Sequence, residues 1–151
     1  MPSIYSYQKY ITHDQTKIIK LPENNDHQPV GTELATIDNI TYISLPDGAI
    51  LPMNQPEEIA STIKTESLTE QLRTQLKAFS PHCQLIAQRV IEQIRDRYSV
   101  DDEAYFSRIG IGAALNIYEF ESGESDALLQ FGNYVEQCRQ WGRDQRALLG
   151  L

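Results

Sequence analysis

The sequence predicts an α+β fold, in which a small N-terminal β-hairpin or meander precedes a bundle of about four helices. Two patterns carry this prediction. Alternating β-branched and aromatic residues dominate before residue 56, and apolar residues recur with helical spacing after it. The composition, with 40% hydrophobic and 23% charged residues in 151, is typical of a globular chain. We therefore divide the chain into an extended or β region, residues 1–55, and a helical domain, residues 56–151.

The clearest β signal is a hairpin over residues 34–43. Two runs rich in β-branched residues flank Asp38 and Asn39, whose side chains tolerate the left-handed backbone of a tight turn. Further strands are predicted over residues 3–12, 17–21 and 49–52. A sheet of so few strands has only marginal stability on its own. This region therefore needs another surface to pack against.

Helical periodicity predicts four helices, over residues 69–79, 81–98, 99–120 and 126–148. The strongest of these has Ile86, Val90, Ile94 and Tyr98 at every fourth position. Ser80 and Ser99 have the residue type that caps helix N-termini, and acidic residues follow Ser99 in the first turn.

Charge and composition exclude several classes of function. Lys and Arg number 13 against 21 Asp and Glu, which gives a net charge of −8. This balance argues against nucleic-acid binding and against docking on an anionic membrane, because both need a basic surplus. No apolar run is long enough to span a bilayer, and residues 1–7 do not resemble a signal peptide. Two cysteines indicate a reducing compartment rather than a disulfide framework.

No catalytic, cofactor or metal site is predicted. The three histidines, His13, His27 and His82, lack zinc-ligand spacing, and Cys83 and Cys138 fall among apolar helical positions that suit small core residues. The chain has no phosphate-binding glycine loop and no nucleophile elbow. An enzyme thus has nothing specific in its favour, and we expect none.

Aromatic residues are the candidate contacts with a protein partner. Tyrosine and tryptophan are enriched at protein interfaces. The candidates are Tyr5, Tyr7, Tyr10, Tyr42 and Trp141. The alternative is that the N-terminal rings pack on the helical half of the same chain.

The hairpin at residues 34–48 and the closing segment at residues 134–148, with Trp141 and several arginines, resemble parts of small tail-fibre and baseplate-associated proteins of tailed bacteriophages. The resemblance implies a non-enzymatic structural or adaptor protein of the virion tail, in the fibre or baseplate region. Such a protein is assembled in the host cytoplasm and binds other tail proteins in an oligomeric assembly. It uses no cofactor.

Three alternatives to a virion component stay open. The first is a tail-fibre assembly chaperone that is absent from the mature virion. The second is a cytoplasmic enzyme or ligand-binding protein of the host, which predicts a pocket with convergent polar groups. The third, a helical transcriptional regulator, is disfavoured by the acidic charge.

Overall fold

The computed structural model describes all 151 residues and contains six strands and five helices. The strands are β1 (Ser3–Tyr7), β2 (Tyr10–Thr12), β3 (Gln15–Thr16), β4 (Thr32–Ile37), β5 (Ile40–Leu45) and β6 (Lys64–Glu66). The helices are α1 (Glu57–Ala60), α2 (Glu70–Phe79), α3 (Pro81–Arg97), α4 (Val100–Ala114) and α5 (Glu124–Leu148). The predicted α+β class is confirmed.

The chain forms two compact units. The first, here called the sheet unit, comprises Met1–Leu85 together with Gln145–Leu151. The second, the helical unit, comprises Ile86–Asp144. The sequence predicts a single helical domain over residues 56–151, whereas strand β6, helix α2 and the C-terminal segment belong to the sheet unit. Segments that cover a sheet are distant in sequence, and local periodicity does not reveal them.

Strand β1 lies inside a four-stranded antiparallel sheet with the order β4-β5-β1-β6. Tyr5 of β1 pairs with Ile43 of β5 on one side and with Thr65 of β6 on the other. Both hydrogen-bonding edges of β1 are therefore used within the chain. Strand β1 therefore has no free edge with which to pair with a neighbouring subunit. The short strands β2 and β3 form a separate hairpin.

The β4–β5 hairpin turns as the sequence predicts. Asp38 and Asn39 have φ angles of 51° and 67°, both in the left-handed region that a type I′ turn requires. Ser99 also caps α4 as predicted, because its side chain accepts from the Asp102 N–H while the Asp102 carboxylate accepts from the Ser99 N–H.

Two predicted strands are absent, and one glutamine side chain bonds to the backbone of both segments. Segments 17–21 and 49–52 have no strand pairing. The Gln55 amide instead accepts from the Lys20 N–H at 2.7 Å and donates to the Lys20 and Pro52 carbonyls, both at 2.9 Å. These bonds satisfy backbone groups that a sheet would otherwise pair.

Both faces of the sheet are covered, which buries β5 from Thr41 to Leu45. One face packs in a cluster that includes Ile4, Leu34 and Leu76 of α2. The other face packs in a second cluster around Tyr7, Ile43 and Ile59, with Ile19 from the loop region. Adjacent residues of β1 thus point into different cores, as the two-residue period of a strand requires.

The C-terminal segment completes the first of these clusters. Helix α5 ends in a Schellman motif, in which the Gly150 N–H donates to Ala147 O at 2.9 Å and the Leu151 N–H donates to Arg146 O at 3.0 Å. Gly150 has a φ of +80°, and a Cβ there would lie 3.1 Å from Ile4 Cδ1. The turn directs Leu151 into the cluster that contains Ile4.

We expect Leu76→Ala to lower the free energy of unfolding of the sheet unit by about 2–5 kcal/mol, because it leaves a cavity between α2 and the sheet. The matched control is Phe79→Ala on the same helix, where the ring is exposed and the expected loss is under about 1 kcal/mol. Native-state hydrogen exchange of the β4 and β5 amides measures the difference. Equal losses in the two variants would contradict this account of the core.

Candidate functional site

Three of the five predicted aromatic contacts are part of the sheet unit's own packing. Tyr7 and Tyr42 are buried, and desolvation raises the pKa of both hydroxyls. Tyr5 is half-buried and packs against the cluster around Ile43. Tyr7 and Tyr42 are therefore inaccessible to a partner in this structure, and their proposed role as surface contacts is corrected to a role in the core.

The other two candidates, like Tyr5, keep accessible surface. Tyr10 is 45% exposed on the β2–β3 hairpin, and the Lys9 ammonium lies 5.2 Å from the centre of its ring. Lys9 also binds the Glu33 carboxylate at 3.1 Å, which anchors this hairpin to β4. Trp141 is half-buried on α5 in the helical unit. The five aromatic residues do not form one site, because Trp141 belongs to a different unit from the tyrosines.

The helical unit leaves much of its apolar surface uncovered. It buries three hydrophobic side chains, those of Ile94, Ile109 and Cys138. Eight large hydrophobic side chains of the same unit are exposed: Ile91, Val100, Tyr105, Ile111, Leu115, Ile117, Phe120 and Leu129. Exposure on this scale, relative to the buried core, makes this surface a candidate interaction site. The sequence periodicity detects these residues but assigns many of them to a core.

Aromatic rings, rather than an aliphatic core, join the three helices of this unit. Phe106 of α4 stacks on Phe131 of α5 at 4.8 Å, and Tyr98, which follows α3, meets Phe131 edge-on at 5.0 Å. The Tyr134 hydroxyl donates to Gln93 O at 2.6 Å. Such ring pairs contribute about 0.5–1.5 kcal/mol each beyond their buried area.

Helix α4 ends earlier than the sequence predicts. Asn116 adopts a left-handed φ of 59°, and the Ile117 N–H donates to Gly112 O at 2.9 Å in a Schellman motif. The predicted helix over residues 99–120 therefore stops at Ala114. Asparagine tolerates left-handed backbone, and this was the available signal for the helix end.

A single carboxylate organises the segment between α4 and α5. Glu124 is buried and accepts from the Tyr118 hydroxyl and from the Glu121 N–H, both at 2.6 Å. The Tyr105 hydroxyl of α4 donates to its other oxygen. These three donors tie the start of α5 to α4 and to the connecting segment.

The same bonds set the protonation states of the three side chains. Hydrogen bonds from Tyr105 and Tyr118 lower the pKa of Glu124 from its ordinary value of 4.5. The bond to Glu124 raises the pKa of Tyr118 to about 12 and raises that of Tyr105 as well. Near neutral pH, Glu124 is therefore an ionised acceptor and both tyrosines are protonated donors.

An open cavity of about 430 Å³ lies beside this cluster. It is lined by Tyr105, Arg108, Ile109, Gly112, Ile117 and Tyr118. Its walls are mainly apolar, and the Arg108 guanidinium, which forms no ion pair in the chain, is its charged group. Since the Glu124 oxygens are already bonded, the arrangement can hold an apolar or anionic group and does not present a free acid or base.

Other side-chain chemistry is sparse. Cys83 and Cys138 are buried free thiols, as expected for small core residues. No group of three or more His, Cys, Asp or Glu side chains is placed to hold a metal ion. None of the helices combines the length and the apolar character that crossing a membrane requires.

Comparison of the chain with protein-family models, with curated proteins and with solved structures gave no match.

Gly112→Ala should destabilise the helical unit, because the new Cβ would lie 2.8 Å from Tyr118 Cβ. We expect a loss of about 1–3 kcal/mol, measured by urea unfolding. Gly132→Ala on α5 is the control, since a Cβ there meets no atom within 4 Å. It should stabilise the helix by about 0.5–1 kcal/mol. Stabilisation by both changes would refute the close contact at Gly112.

The Glu124 cluster also predicts a pH dependence of stability. A lowered carboxyl pKa adds stability above pH 4.5, and this is lost as the pH falls through the folded pKa. The raised pKa of Tyr118 adds stability below pH 10, which is lost as the pH rises from 10 to about 12. Carbon NMR titration of the Glu124 carboxyl, in the wild type and in Tyr118→Phe, measures the coupling. The Tyr118→Phe variant should raise the pKa of Glu124. An unchanged pKa would contradict the hydrogen bond between the two side chains.

Proposed function

We propose that this protein is a non-enzymatic structural or adaptor protein that works by binding other proteins. The observation that carries the proposal is the uncovered apolar surface of the helical unit, where eight large side chains are exposed. In a finished assembly, a partner removes such a surface from water, and this contributes roughly 25 cal/mol for each Å² of apolar area buried.

The proposed setting is the fibre or baseplate region of a phage tail, with assembly in the host cytoplasm. This part is supported by the resemblance of the segments at 34–48 and 134–148 to tail-associated proteins. In the structure the first segment contains the tight β4–β5 hairpin, and the second forms the C-terminal part of α5. The partners are then other tail proteins in an oligomeric assembly. A fibre-assembly chaperone would use the same surfaces before maturation.

The contact residues of this proposal are revised by the structure. Tyr10, Tyr5 and Trp141 keep accessible surface and stay candidates, together with the exposed side chains of the helical unit. Tyr7 and Tyr42 are left out, because their replacement would disturb the sheet and would not report on binding.

A second candidate, a binding protein for a small ligand, is favoured by one observation. The cavity beside α4 combines apolar walls with the Arg108 guanidinium, and the pKa values of two adjacent tyrosines are raised. Sites of this composition hold small molecules in many proteins. An amphipathic molecule with a carboxylate matches that chemistry.

Quantitative mass spectrometry of particles purified from the native source tests the proposal. We expect a fixed ratio of this chain to tail proteins in mature particles, and Tyr10→Ala should weaken the isolated contact at least about tenfold if Tyr10 anchors it. Association with free fibre protein only would identify a chaperone. A chain that purifies alone would exclude both assembly roles and leave the ligand-binding candidate.

A further inference from the structure

Helix α4 carries a stripe of aliphatic and small side chains that nothing in the chain covers. Val100, Ala104, Ser107, Ile111 and Ala114 follow one another at intervals of four, three, four and three residues, and all five are exposed. This is the spacing of the contact positions in a coiled coil. Val100 and Ile111 are 64% and 62% exposed, whereas the opposite side of the helix holds the buried Ile109.

The charges beside this stripe are arranged on one flank. Asp101 and Arg108 each follow a stripe residue directly, so both lie on the same side of it. Both are exposed, and neither forms an ion pair within the chain. On the other flank, Glu103 is already neutralised by Arg95, with 2.7 Å between Nη1 and Oε2. The free opposite charges are thus one heptad apart on a single flank.

We propose that α4 pairs in an antiparallel orientation with α4 of a second copy of this chain. With the two-fold axis between Ala104 and Ser107, Val100 of each copy faces Ile111 of the other. Ala104 then faces Ser107, and these small side chains allow the helix axes to approach closely. Asp101 of each copy lies beside Arg108 of the other, which forms two symmetric ion pairs.

The charge pattern favours a second copy in this orientation. An isologous interface must be complementary to itself, and opposite charges on one flank meet that condition only when the helices are antiparallel. A parallel pair would place Arg108 near Glu103, whose carboxylate is engaged by Arg95. This pairing rests on the proposed function, because it assigns a partner to part of the exposed apolar surface described there. A chain that is monomeric and still binds tail proteins would overturn the pairing and leave the proposed function intact.

Sedimentation equilibrium of the full chain, at concentrations up to about 100 µM, measures the self-association. We expect a dimer for the wild type. Asp101→Arg and Arg108→Asp should each weaken it at least about tenfold, because each places two like charges opposite one another. The double variant D101R/R108D should restore the dimer. The two single variants, mixed in equal amounts, should form a heterodimer, since every facing pair is then oppositely charged.

Matched controls separate the interface from a general charge effect. Asp126→Arg changes an exposed acidic residue in the first turn of α5, and Arg139→Asp changes an exposed arginine later in that helix. Both alter the net charge as the test variants do and should leave dimerisation unchanged. Circular dichroism verifies that each variant keeps its helical content.

Several outcomes would overturn the pairing. A monomeric wild type excludes it at once. If neither charge reversal weakens the dimer, the dimer forms through another face. Loss of the dimer in the single variants without rescue in the double variant or in the mixture excludes the antiparallel register. Dissociation of the dimer by Glu103→Arg, with no effect of Asp101→Arg, would show the parallel arrangement instead.

Discussion

The position of β1 inside the sheet is the constraint on which the sheet unit depends. Residues at the start of the chain pair with β5 and with β6, so the sheet closes only when segments more than thirty residues away in the sequence are in place. Each face of β1 then faces a separate cluster, one completed by α2 and Leu151 and the other by Ile59 and Ile19. Loss of β1 would separate β5 from β6 and open both clusters. Contacts of such long range form late in folding, because loop closure costs entropy first.

The two units use their apolar residues in opposite ways. The sheet unit covers both faces of its sheet, and Tyr7 and Tyr42 are buried in that packing. The helical unit instead joins its helices through half-buried rings and one carboxylate, Glu124, and leaves aliphatic side chains in water. Hydrophobic stabilisation scales with the area removed from water, so the helical unit has stability to gain from a partner. This contrast explains why the proposed contacts move from the N-terminal tyrosines to the helices.

The sequence predicted correctly those elements that depend only on residues close together in the chain. The turn at Asp38 and Asn39 and the long helix α3 follow from neighbouring residues, and the structure confirms both. Features that the sequence did not reveal depend on distant partners or on a single backbone angle. The Gln55 amide bonds to the backbone of two segments that were predicted as strands, and the left-handed Asn116 ends α4. The prediction that Tyr7 and Tyr42 are surface contacts was wrong for the same reason. An aromatic residue in a strand has the same sequence signal in a core as at an interface, and only the packed sheet distinguishes Tyr7 from a surface contact.

The discontinuity of the sheet unit has a consequence for the chain as it leaves the ribosome. The residues of Met1–Leu85 emerge before the helical unit, but Gln145–Leu151, which complete their core, emerge only after the whole helical unit has been synthesised. During that interval the part of the Ile4 cluster that Leu149 and Leu151 cover is exposed on the nascent chain. Domains that are contiguous in sequence fold in the order of synthesis. Here the core of the sheet unit is completed only when Gln145–Leu151 have been synthesised. Translation therefore passes through a state with exposed apolar surface, which is the kind of surface that a holding chaperone binds.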